Sequence, residues 1–128
     1  MKTQAARIWC FVAGVFFVVV GILGFMGRVP LPTPHHAVHL LSGVVALGLA
    51  FAAGGIFAAP FAKWFGALYT VLAIVGYLGV RDLGPIQLDL VHSATIHIVI
   101  GLTGILAGLI SGAKRAEPAD KSKLPTAA

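Results

Sequence analysis

Charge is what this chain has least of. Asp, Glu, Lys and Arg make up 10% of its 128 residues, where a soluble domain carries about a quarter. A soluble enzyme, a nucleic-acid module or a disordered chain would need that missing charge. Acidic residues are scarcest, four against nine basic ones, for a net charge of +5. No Lys/Arg run is interleaved with aromatics, so no nucleic-acid partner is expected, and the basic residues read as flanking charge on membrane spans. Cysteine is nearly absent as well. Cys10 stands alone, so no intrachain disulfide can form, and it reads as an apolar filler. Also missing are Gly-x-Ser-x-Gly, a phosphate-binding Gly loop followed by Lys, Cys-x-x-Cys-His, His-Glu-x-x-His and any pair of acids set for acid–base work. The chain is therefore not expected to be an enzyme. What is abundant is apolar: 59% hydrophobic residues and a mean hydropathy of +0.98 indicate an integral membrane protein.

Four stretches match the roughly 20 apolar residues a spanning helix needs: about 8–26, 37–59, 61–80 and 93–111. The expected fold is all-α, a polytopic four-helix bundle forming a single domain over 1–112, followed by a disordered polar tail, 113–128. The first stretch is too long for a signal-peptide core and lacks an Ala-x-Ala site, so it reads as a retained helix. Arg28 to Pro34 is a Pro-rich loop, with Thr33-Pro34 as N-cap and first helical position of helix 2. The short link around 58–61, with Pro60 closing helix 2, predicts that helices 2 and 3 form a tight antiparallel pair. Helix 4 could begin as early as Pro85.

Lys2, Arg7, Lys63, Lys114, Arg115, Lys121 and Lys123 fall on one side of the membrane, and Arg28 and Arg81 on the other. That bias predicts cytoplasmic termini and, in a bacterium, the inner membrane. All five histidines then lie at the outer face.

The chain also repeats itself. Gly14, Gly21, Gly24 and Gly27 align with Gly66, Ala73, Gly76 and Gly79. His39-Leu40-Leu41-Ser42-Gly43 aligns with His97-Ile98-Val99-Ile100-Gly101. Two tandem helical hairpins are implied, with pseudo-twofold symmetry about the membrane normal. Gly43, Ala46 and Ala50 on helix 2, and Gly101, Gly104 and Gly108 on helix 4, form stripes of small residues suited to close helix packing. Phe16, Phe17, Leu49 and Phe51 are left for lipid or a neighbouring subunit, and a homo-oligomer or a membrane-complex partner fits those faces.

Gly24-Phe25-Met26-Gly27 and the His-x-x-x-Gly steps at His39 and His97 resemble a family of small, uncharacterised four-helix bacterial membrane proteins. The resemblance spans Ile8 to Gly112. It implies a fold and a location but no activity. Where members of that family often carry Asn or Asp ahead of the first His, this chain has His35-His36.

Ionisable groups at a membrane edge are costly, and each is a functional candidate. The candidates are His35, His36, His39, Asp89, His92 and His97. His35 and His39 are one turn apart and share a helix face, as do His36 and His39. Three readings follow. In an accessory or scaffold protein, His39 and His97 would hydrogen-bond across helices 2 and 4, or to Asp89 and Ser93, to fix register. In a metal- or haem-binding subunit, His39 and His97 would ligate a transition metal or haem iron, helped by His36, His92 or Asp89. In a proton- or solute-handling protein, a histidine would titrate with Asp89 as partner. The last reading lacks an ionisable residue near the midplane. Ser42, Thr70, Ser93, Thr95 and Thr103 read as hydroxyls bonded to their own helix.

Overall fold

The computed structural model describes residues 4–88 and 92–113. Its elements are α1 (Gln4–Phe25), α2 (Thr33–Phe51), a 3-10 turn (Ala52–Gly55), α3 (Ala58–Tyr77), β1 (Asp82–Leu83), β2 (Ile86–Gln87) and α4 (His92–Ala113). The four α-helices are each long and apolar enough to cross a membrane. Their outward residues, among them Leu41, Val71, Ile74, Val99 and Leu106, are exposed, as lipid-facing positions are.

Two helices end the same way. At the end of α1, Gly27 (φ 73°) donates to Gly24 O and Arg28 donates to Leu23 O, both at 2.9 Å. At the end of α3, Gly79 (φ 94°) donates to Gly76 O at 3.0 Å and Val80 to Val75 O at 3.3 Å. This is the Schellman arrangement, which satisfies last-turn carbonyls and needs a left-handed residue that glycine supplies without strain.

Three local expectations need correction. Helix 2 does not run to Pro60: α2 stops at Phe51, because Ala53, Gly54 and Gly55 all adopt positive φ. Arg7 closes that end, its Nε donating to Ala50 O at 2.9 Å, where the carbonyls of a helix C-terminus favour a cation. Pro60 instead lies in the first turn of α3, where a missing N–H costs no helical bond. Helix 4 does not begin at Pro85. Asp82–Leu83 and Ile86–Gln87 pair as a small antiparallel hairpin, with Gly84 (φ 71°) and Pro85 at its turn. Thr33 is not the N-cap of α2 but its first residue, with Pro32 outside in extended conformation.

The close helix pairs are α1 with α2 and α3 with α4, not helices 2 and 3. Packing in lipid favours contacts where small residues let backbones meet, and the glycines meet within each hairpin. A Cβ added at Gly43 would lie 2.6 Å from Val18 N and 2.8 Å from Gly14 O. One added at Gly101 would lie 2.7 Å from Thr70 N and 2.8 Å from Gly66 O. Gly104 sits against Ala62 O and Trp9, and Gly108 against Ala59 O and Lys63. The small-residue stripes of α2 and α4 thus face α1 and α3 within one chain, not each other.

Where the hairpins meet, the interior is layered. Near the start of α1, Ala6, Cys10, Ala50, Ala58, Ala59 and Ala62 form a core of small residues. Ser111 Oγ accepts from the Ala6 N–H at 3.0 Å, and Trp9 Nε1 donates to Thr103 Oγ1 at 3.0 Å, so α4 is tied to α1 twice. Above lies an aromatic layer in which Phe17 and Tyr69 meet edge to face at 5.3 Å. Phe17 was expected at the lipid face. It is 1% exposed, because it fills the centre between the two hairpins, while Phe16 and Phe51 face outward. Thr70 and Thr103 bond to carbonyls of their own helices, whereas Thr95 meets Tyr77 of α3 at 3.3 Å.

Candidate metal centre

The third layer consists of histidines. On an α-helix, residues four apart are offset by about 40° and residues three apart by about 60°, so His35 and His39 overlap more closely than His36 and His39. Their rings are 4.5 Å apart. His97 enters from α4, although α2 and α4 are not a close pair, and its ring rests edge-on against Tyr69 at 5.0 Å. His39 lies correspondingly 5.5 Å from Phe17. The aromatic layer therefore supports both histidines from below.

One nitrogen from each of His35, His39 and His97 lies within 4.8 Å of the others. The three residues are 2%, 7% and 5% exposed. His35 Nδ1 accepts a long hydrogen bond, 3.4 Å, from Gln87 N–H at the edge of β2. Nδ1 of His39 and Nδ1 of His97 have no partner among the described residues. A buried polar atom left in that state costs about 1–3 kcal/mol. No hydrogen bond joins His39 to His97; the alternative bonds to Asp89 and to the Ser93 side chain fall outside the described residues.

Three imidazoles around an ion at about 2.0–2.1 Å would place their nitrogens roughly 3.3–3.6 Å apart. The observed separations are within reach of that by small side-chain rotations. A haem held between two of the nitrogens would need the plane midway between them clear. The third nitrogen lies within 4.8 Å of both, inside the radius a macrocycle between them would occupy. The trio suits a bare ion.

The other candidates fall elsewhere. His36 is buried, but it turns to α1, with its ring over Gly24 and edge-on to Phe25 at 5.9 Å. Its Nδ1 also lacks a partner among the described residues. Asp89 and residues 114–128 lie outside the described residues, and of His92 only the backbone that opens α4 is described. The ligand set in the sequence reading thus contains His39 and His97 but takes His36 where the fold brings in His35. The signal for His35 was present in its closer angular match to His39. What the sequence did not provide was the side of α2 that faces α4. No protein family matches this chain, and no characterised protein or solved structure is similar to it.

Proposed function

We propose that this chain is a metal-binding membrane protein without catalytic activity of its own, which holds one late first-row transition-metal ion through His35, His39 and His97. The observation that carries this reading is the buried trio of nitrogens within 4.8 Å, two residues of which have an Nδ1 without a partner among the described residues. Imidazole suits copper and zinc among such ions. No carboxylate or thiolate joins the trio among the described residues, so the ligand set is neutral. A neutral set buried in a low-dielectric layer favours the ion of lower charge, since the desolvation cost rises with charge. Copper(I) is the better fit on that ground.

The same reading includes a setting. The basic residues favour a bacterial inner membrane with both termini cytoplasmic, which puts the metal near the outer face. The contacts of Gly14 with Gly43 and of Gly66 with Gly101, and the pairs Phe17/His39 and Tyr69/His97, support a duplicated hairpin. An accessory role beside a membrane partner fits a chain that holds an ion and lacks acid–base machinery.

Metal analysis of protein purified in detergent tests the proposal. About one copper or zinc ion per chain is expected in the wild type and a small fraction of that in His97→Ala. Absence of stoichiometric metal, together with no change in melting temperature on adding either ion, would overturn it.

A further inference from the structure

The histidine trio is not sealed. It forms one wall of a cavity of about 410 Å³ whose other walls are apolar, with Phe16, Val20, Leu31 and Ile96 among them. A second apolar groove, about 690 Å³, runs between α1 and α4 along Ile8, Val12, Val99 and Ala107. Phe16 and Ile96 line both. The two spaces are therefore adjacent: a compact compartment with three nitrogen ligands, and an apolar trough extending from it. From Phe16 to Ala5 the trough covers twelve residues of α1, about 17 Å of helix.

We infer that cavity and groove together bind a long-chain amphiphile with an uncharged, oxygen-bearing ring as headgroup, the chemical class of the membrane quinones and quinols. The ring would occupy the cavity with one oxygen at the histidine trio, and the chain would lie in the groove. Three features select this class. Among the described residues no Lys, Arg, Asp or Glu lines either space, so a phosphate or carboxylate headgroup would meet no counter-charge from them. In the cavity the polar groups converge at one point, which suits a headgroup with a single recognised edge, while Trp9, Thr103 and Thr95 along the groove bond to each other or to Tyr77. The aromatic rings of Phe16 and His39 line the cavity, and a flat ring packs well among aromatic side chains. This inference rests on the metal reading only in so far as the headgroup oxygen meets the metal's open position. The imidazoles can meet that oxygen directly by hydrogen bonding.

The chain has two tryptophans, and Trp9 lines the groove while Trp64 does not. In a Trp64→Phe background, a decyl-substituted benzoquinone titrated into nanodisc-embedded protein should quench Trp9 fluorescence saturably. Val99→Phe narrows the groove from its lipid side, Val99 being 57% exposed, and should weaken apparent binding about tenfold, as should His97→Ala. Decanol, which has the tail without the ring, should not displace the quinone. Quenching that rises linearly without saturating, or equal displacement by decanol, would overturn the inference and leave only lipid partitioning or an acyl-chain groove. Metal content measured on the same samples separates the two readings. A loaded metal site with no saturable quenching defeats this inference alone, and saturable quenching in protein that neither holds nor responds to added copper or zinc supports it while defeating the metal reading.

Discussion

The two hairpins pack alike and differ in what they carry at the ends where α1 and α3 close. In each, the first helix closes on a glycine-centred turn, and the second crosses it where Gly43 meets Gly14 or Gly101 meets Gly66. Phe17 supports His39 in one as Tyr69 supports His97 in the other. Over Gly24 the first hairpin places His36, whereas over Gly76 the second places Ala94. The first also supplies His35, the third nitrogen of the trio. Backbone packing sets the depth of His39 and His97, and side chains of α2 alone turn a matched pair into a three-ligand centre. Scaffold and chemistry are thus separable, and substitution can test each.

The largest effects should come from the glycine crossings. Gly43→Leu and Gly101→Leu would each drive a side chain into partner backbone, costing about 3 kcal/mol. Thermal unfolding in detergent should show matched losses. A large loss at one site beside a neutral result at the other would break the equivalence of the hairpins. Next comes the contrast between adjacent histidines. His35→Ala should weaken metal binding roughly a hundredfold, about 2.7 kcal/mol. His36→Ala, which makes the first hairpin resemble the second, should leave metal content unchanged, and equal metal loss in both would remove the distinction drawn between them. Removing the phenol by Tyr69→Phe makes the aromatic layer alike in both halves and should cost about 1 kcal/mol or less. The smallest effect has the opposite sign. Ala53 sits at φ 48°, so Ala53→Gly should raise stability by about 0.5–1 kcal/mol, read as a higher melting temperature.

Most of the scaffold was legible in the chain because membrane helices announce themselves locally. Length, hydropathy and small-residue spacing located four helices and the faces on which Gly43 and Gly101 pack. Which helix each face meets is not a local property. The short link between α2 and α3 suggested that pair, yet the glycines of α1 and α3 provide the closer approach. Phe17 shows the same limit: one large aromatic looks lipid-facing until Tyr69 is found opposite it. The hairpin at 82–87 was obscured because Pro85 is compatible with both a helix start and a turn, and the left-handed Gly84 before it decides for the turn. At the candidate metal centre, the pairing of His39 with His97 followed from the repeat. The choice of His35 over His36 depended on the direction of α4, which no single helix encodes.

The bond from Gln87 N–H to His35 Nδ1 has a consequence for loading. A neutral imidazole has one lone pair and one proton on its two nitrogens. If the ion takes Nδ1, the lone pair that holds Gln87 is used. If it takes Nε2, the proton moves to Nδ1 and two donors face each other. In either case the bond to Gln87 cannot persist, so filling the site unlatches the 82–87 hairpin from α2. Occupancy inside the bundle would then be legible from outside it, as faster amide exchange at Gln87 in the 82–87 hairpin.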